Sequence, residues 1–160
     1  MKPIDRATWL GWLLRLLLVT VATVAVGRLG FILPSLGARL TLPLLPSGIA
    51  VAATTRWGRS MWPAIFVAGT LLNAWLGRPW IADVAVGLGL AGGAVLTATL
   101  LKHYRFDPWF GHPRDVVVFL VSTGFGMLLP PALGMAGYHL AGLGALLPLT
   151  GVNWFRWWRT

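Results

Sequence analysis

The chain lacks cysteine altogether, so no disulfide, thiolate metal site or cysteine nucleophile is available to it. Charge is also scarce, because only 11% of the 160 residues are charged, whereas a soluble domain carries about 25%. The acidic residues are Asp5, Asp83, Asp107 and Asp115. They are scattered along the sequence, and no pair of carboxylates suggests general acid–base catalysis.

Apolar residues make up 57% of the chain, and its mean hydropathy is +0.75. Too few polar side chains remain to cover a surface in water, so the composition predicts a protein whose solvent is the lipid bilayer. We therefore expect an all-α, polytopic membrane helix bundle. Residues 1–160 are expected to form a single transmembrane domain.

The net charge is +9, from 13 basic and 4 acidic residues. In a soluble protein this excess would suggest nucleic acid as a partner. Here the basic residues mostly stand singly between apolar runs, which argues against a nucleic-acid interface and indicates residues that orient membrane helices.

Enzyme signatures do not appear in the sequence. His103, His112 and His139 have no metal-ligand partner at helical spacing, and no nucleophile elbow or phosphate-binding loop is present. We predict no catalytic residues, no metal and no cofactor for this segment.

The apolar runs predict about five membrane spans and the start of a sixth. The first run covers Trp9 to Leu33 and contains Arg15 and Arg28. Each of these arginines either extends to the nearer headgroups or faces the bundle interior, where it would meet a carboxylate or an anionic ligand. The second run, near 43–55, is interrupted by prolines. We expect it to be a half-helix that begins at Ser47 and is packed against its neighbours, since unpaired backbone groups are costly in lipid.

The third and fourth spans are predicted at Met61 to Leu76, with Ser60 as its N-cap, and at Ile81 to Leu101. A hydrophilic loop, Lys102 to Asp115, follows. The fifth span lies within 116–142, where Pro130 and Pro131 predict either one kinked helix or two half-helices. A sixth span would begin near Trp154, so the chain is expected to be part of a longer protein.

Small residues recur every four positions in the fourth span, and this stripe predicts a close contact with another helix. Its members are Ala85, Gly89, Gly93 and Thr97.

The positive-inside rule predicts a cytoplasmic N-terminus. With that orientation, the inner segments hold seven basic residues, and the outer connections hold Arg39 and Arg78. Arg156 and Arg159, near the chain end, would also lie outside, which raises the outer count to four.

Four stretches follow one another in the order and spacing of a known family. They are "LPSGIAVAA", "MWPAIFVAGTLLNAWLG", "LLKHYRFDPWFGHPRDVVVFL" and "NWFRWW". Over about Pro43 to Trp158, the chain resembles the N-terminal portion of the bacterial membrane-associated sensor domain of the first type (MASE family). The fourth span departs from this pattern, because "GLGLAGGAV" stands where relatives often carry Asn and an acidic residue.

The resemblance implies a membrane-embedded sensory input module of about eight helices, located in the bacterial cytoplasmic (inner) membrane. Such a module is fused to a cytoplasmic output domain: a histidine kinase of a two-component system, a diguanylate cyclase or a cyclic-di-GMP phosphodiesterase. The expected partners are the lipid bilayer, that output domain and an unidentified small ligand, and a homodimer is left open.

The amides that begin the half-helix, together with polar and aromatic residues at the outer face and in the inner loop, are the candidates for ligand binding or signal relay. The alternative for the outer residues is an interfacial aromatic belt with structural hydrogen bonds, and for the inner ones a capped, fixed loop. The candidates are Pro46, Ser47, Gly48, Trp62, Asn73, Arg78, Asp83, Asp107, Arg114, Asp115, Trp154, Arg156 and Trp157.

Two other functions fit the same sequence. Broken helices are also typical of a small membrane transporter or a substrate-binding subunit. The small-residue stripe alone would suit a structural subunit that assembles with another membrane protein.

Overall fold

The computed structural model describes residues 6–32, 44–75, 77, 79–144 and 151–152. This part of the chain is helical and contains no strand, so the all-α prediction is confirmed. A short 3-10 helix, Arg59–Met61, joins the second and third α-helices. The α-helices are α1 (Arg6–Ile32), α2 (Leu44–Trp57), α3 (Trp62–Ala74), α4 (Trp80–His103), α5 (Pro113–Gly126) and α6 (Leu129–Leu140).

Three helical segments are long and apolar enough to cross a membrane. They are Trp9–Leu29 in α1, Trp80–His103, and Pro113–Leu140, which joins α5 and α6. The 14 residues of α2 and the 13 of α3 reach only about 20 Å at 1.5 Å per residue, short of a hydrocarbon core of about 30 Å. The predicted count of about five spans therefore stays a prediction.

The outer surface of these helices is apolar, as a lipid-facing surface must be. On α1, the side chains of Leu10, Leu14 and Leu17 are more than half exposed. On α5, Val117 and Leu120 are exposed to a similar degree. Contiguous apolar surface of this kind is unfavourable in water and neutral in lipid.

α1 and α3 run in parallel, as three contacts in the same order along both helices show. The hydroxyl of Thr20 donates to the carbonyl oxygen of Ala64 at 3.3 Å. About two turns further along both helices, Gly27 lies against Leu72. Arg28 then lies over the ring of Trp75. α2 therefore runs antiparallel to both helices and ends beside the start of α3.

α4 lies at the centre of the bundle, where it packs against α2, α3, α5 and α6. Its small-residue stripe faces α5 and α6 of the same chain. Gly89 approaches the backbone of Pro130, Gly93 approaches the carbonyl oxygen of Gly126, and Ala85 contacts Gly137. A methyl group at Gly89 or Gly93 would already lie 2.6–2.7 Å from the facing backbone, so the stripe sets the distance between the helices.

The break in the fifth span falls at Met127 and Leu128, between α5 and α6. Pro130 and Pro131 lie in the first turn of α6, where a residue without an amide hydrogen leaves no carbonyl unpaired. The structure thus has two helices here, and both run antiparallel to α4.

Two local predictions from the sequence are wrong. α2 begins at Leu44 rather than at Ser47, because Pro46 falls in the first turn, whose amides have no intrahelical acceptor in any helix. Ser60 does not cap α3. It lies inside the 3-10 helix, and the cap position belongs to Met61, which makes no side-chain cap.

Adjacent glycines in α4 allow a matched test of the packing. We expect Gly93→Ala to destabilise the bundle by about 1–3 kcal/mol, because the new methyl group would lie 2.6 Å from the carbonyl oxygen of Gly126. Gly92→Ala is the control, since its nearest neighbour is a Leu129 methyl group at 3.7 Å. Thermal unfolding in detergent, followed by circular dichroism, measures both. Equal melting temperatures would contradict this description of the α4 contact.

Candidate functional site

The loop between α4 and α5 is held by its own backbone from the first residue onward. The amide of Phe106 donates to the carbonyl oxygen of Leu101 at 2.9 Å, and the amide of Arg105 donates to that of Lys102 at 3.2 Å. These two bonds are the pair that ends a helix in a Schellman motif. Arg105 has a φ of 51°, a left-handed conformation usually taken by glycine at this position.

Asp115 closes the other end of the loop. Its side chain is only 7% exposed, and its two carboxylate oxygens accept from the amide of His112 at 3.1 Å and from the amide of Asp107 at 3.4 Å. The first bond satisfies an amide at the start of α5, where a negative charge also suits the helix dipole. The second bond ties the middle of the loop to that helix.

Asp107 and Arg114 add two further hydrogen bonds. The carboxylate of Asp107 accepts from the amide of Trp109 at 3.1 Å, and the guanidinium of Arg114 donates to the carbonyl oxygen of Tyr104 at 3.3 Å. Asp107, Arg114 and Asp115 thus all take part in holding the loop. This is the structural role that the sequence offered as the alternative to signal relay.

An aromatic cluster fixes the loop onto α5. Phe106, Phe110 and Phe119 form it, with ring centroids 5.2–5.8 Å apart. Trp109 at the loop tip is 90% exposed. The loop therefore presents an exposed indole from a fixed backbone, an arrangement suited to the interface between membrane and water.

Basic residues gather at the same end of the bundle, which we call the basic end. It comprises the start of α1, the end of α2, the start of α3 and the α4–α5 loop. The exposed cationic side chains on these segments are Arg15, Arg56, Arg59, Lys102, Arg105 and Arg114. Among the described residues, no acidic side chain at this end is fully exposed, since Asp115 is buried and Asp107 is partly buried.

The outer candidates lie at the opposite end. Pro46, Ser47 and Gly48 are in the first turns of α2, Asp83 is in the first turn of α4, and Asn73 is in the last turn of α3. Asp83 is only 4% exposed. The amide of Asn73 donates to the carbonyl oxygen of Gly69 in its own helix at 2.9 Å.

Trp62 lies apart from this group. It begins α3 at the basic end, so it is about 16 Å from Asn73 along the helix. Its ring is half exposed and leans on Phe66, at 6.4 Å between centroids. The structure therefore does not bring Trp62 together with the outer candidates, because helix α3 separates them.

Four candidates lie outside the described residues: Arg78, Trp154, Arg156 and Trp157. The described part of the end opposite the basic end thus comprises the ends of α1, α3 and α6 and the starts of α2 and α4.

Arg28 makes a contact that the sequence did not reveal. Its guanidinium carbon lies 3.5 Å from the centroid of the Trp75 ring, which is a close cation–π contact. The sequence offered headgroups, a carboxylate or an anionic ligand for this arginine, and an aromatic face was not considered. An arginine and a tryptophan at the same depth on neighbouring helices would have been the signal.

Three buried hydroxyl groups differ from the other hydroxyls of the bundle. Thr20, Thr54, Thr55, Thr70 and Thr99 donate to carbonyl groups one turn earlier in their own helices. In the described part of the chain, the hydroxyls of Thr23, Ser122 and Thr123 are buried without a hydrogen-bond partner. Ser122 and Thr123 lie on α5, one turn before its end, where Ser122 also accepts at its carbonyl from Thr97 at 3.4 Å.

No three histidine or aspartate side chains among the described residues are close enough to hold a metal ion. The candidate site thus consists of hydrogen-bonded loop residues, buried hydroxyls and aromatic surfaces. Comparisons with protein-family models, with curated proteins and with solved structures found no match.

The α4–α5 loop supplies a test of the role of Asp115. We expect Asp115→Ala to destabilise the bundle by about 1–2 kcal/mol, because two amides lose their acceptor where the carboxylate was buried. Trypsin should also cleave after Arg105 faster. Arg114→Ala is the control, since it removes one exposed bond and should change stability by less than about 0.5 kcal/mol. The same cleavage rate in both variants would show that Asp115 does not hold the loop.

Proposed function

We propose that this chain is a membrane-embedded sensory input module of a bacterial signalling protein. In this proposal a signal at the outer face or within the bilayer changes helix packing. The change passes to a cytoplasmic kinase, diguanylate cyclase or cyclic-di-GMP phosphodiesterase. The proposal starts from the ordered motifs shared with the membrane-associated sensor family and is supported by two features of the bundle.

The first feature is the division of charge between the two ends. The basic end carries six exposed cationic side chains. At the opposite end, the described residues include one arginine, Arg28, and no lysine. Cationic residues accumulate on the cytoplasmic side of membrane proteins. This distribution supports a cytoplasmic N-terminus and a cytoplasmic α4–α5 loop, with the starts of α2 and α4 outside.

The second feature is the break between α5 and α6, which lies beside α4. The proposed change in helix packing would occur there. The helices touch there through Gly93, Gly126 and Thr97, and the hydroxyls of Ser122 and Thr123 are buried nearby without partners among the described residues. Buried hydroxyls are normally paired. A second packing arrangement that pairs them would lie close in free energy to this one, which is what a two-state switch requires.

The alternative functions receive less support from the described residues. The stripe of α4 is occupied by α5 and α6 of the same chain, so it does not present a surface for a separate assembly partner. The groove that the described residues form between α1 and α2 is lined almost entirely by apolar side chains, which does not suit a polar transported solute.

Because the chain has no cysteine, single cysteines can test the orientation. Trp80 and Trp109 are 73% and 90% exposed and lie at opposite ends of α4. In intact cells, a membrane-impermeant maleimide should label Trp80→Cys but not Trp109→Cys, and permeabilisation should expose the second. The cysteine-free parent is the control. Labelling of both from outside would mean that α4 does not cross the membrane, and the reverse pattern would invert the orientation.

The signalling proposal is tested on the native gene product. We expect its reading frame to include a cytoplasmic output domain, and Pro130→Ala to change the activity of that domain in membrane vesicles. A shift of about 1.4 kcal/mol in the two-state equilibrium would change it about tenfold, because the proline that ends the break would be gone. Gly92→Ala is the control, since that position is open. A gene product without an output domain, or unchanged output from a folded Pro130→Ala variant, would overturn the proposal.

A further inference from the structure

α1 and α2 leave an open apolar groove on the side of the bundle. Its volume is about 280 Å³. Ala22 and Ala52 form part of its lining, flanked by Leu18 and Ile49. The groove exists because the alanines on this side of α2 are too small to fill the space against α1. Ala52 is exposed, so nothing in the described bundle covers the groove.

The groove ends at a cation. Arg56 and Trp57 line its end nearest the basic end, in the last turn of α2. The side chain of Arg56 is exposed, and no acidic group lies within ion-pair distance of it among the described residues. Arg15 is also exposed and lies one turn before Leu18 on the same face of α1. The groove thus ends at the guanidinium group of Arg56, and Arg15 is a second exposed cation on the adjacent part of α1.

The groove lies across the middle of the membrane and opens toward the basic end. Ala22, its deepest lining residue on α1, is 13 residues beyond Trp9, or about 20 Å along α1, in a core of about 30 Å. Ile49 and Arg56 are about 10 Å apart along α2. The Arg56 end of the groove therefore lies in the leaflet at the basic end, where arginine side chains extend to phosphate groups.

We propose that this groove binds one anionic phospholipid, with part of an acyl chain along Ala22 and Ala52 and the phosphate group at Arg56. An anionic phospholipid is complementary to the groove in both polarity and charge. The apolar lining suits an acyl chain, and the guanidinium group of Arg56 binds a phosphate oxygen through charge-assisted hydrogen bonds. Trp57 lies at the same level, where an indole suits the boundary between acyl chains and headgroups. The site requires the membrane location but not the sensory function.

Native mass spectrometry of the whole chain in mild detergent tests the proposal. The probes are phosphatidylglycerol and phosphatidylcholine with identical acyl chains. The chain should retain one phosphatidylglycerol in preference to phosphatidylcholine, and Arg56→Gln should reduce that preference about fivefold. Ala52→Leu should weaken the retention of both lipids, because its side chain would occupy the groove.

Arg59→Gln is the matched control, because Arg59 is an exposed cation at the same end and does not line the groove. It should leave the preference unchanged, and Arg56→Lys should retain most of it. Melting temperatures show whether each variant is folded. An equal loss in Arg56→Gln and Arg59→Gln would mean diffuse attraction to the basic end and would overturn the site. Unchanged retention in Ala52→Leu would exclude the groove as its location.

Discussion

The close approach of α4 to α5 and α6 is the contact on which the rest of this bundle depends. In lipid, apolar side chains gain little by leaving one hydrocarbon surface for another, so helices associate through dense packing and hydrogen bonds. Gly89, Gly93 and Gly126 supply that packing by bringing backbone against backbone. Because α4 also packs against α2 and α3, its position determines where two helices too short to cross alone are supported.

That support matters most at the ends of α2 and α3. A helix of 13 or 14 residues ends inside or near the hydrocarbon region, where its terminal amides and carbonyls need partners. The 3-10 helix between α2 and α3 meets part of this need, since the amide of Gly58 donates to Thr54 and that of Met61 to Gly58. The two short helices therefore behave as one re-entering unit held between α1 and α4.

Much of the fold could be predicted from sequence, because prolines and polar residues mark where the apolar helices begin and end. An apolar run between Pro79 and the hydrophilic loop predicted α4 to within two residues at either end. The start of α2 was wrong because proline was treated as a breaker without regard to the first turn, where it is tolerated. The spacing of Gly89 and Gly93 predicted a contact face, but a periodicity cannot name the partner that covers it. The contact of Arg28 with Trp75 joins two helices, and no local pattern encodes it.

The candidate site was less predictable, because its contacts also join different helices. The two ends of the site differ in how firmly they hold α5 and α6 against α4. At the basic end, the Asp115 carboxylate and the Phe106 cluster fix the start of α5 to the end of α4. Motion of α5 relative to α4 is therefore restricted at that end, and the helix is interrupted at Met127 and Leu128. Beyond this break, α6 touches α4 through Gly137 and Ala85, where a small displacement would open space for a side chain. A perturbation at the opposite end would thus act on α6 first and reach the loop only through the α4 contact. Gly93 and Gly126 lie on that route.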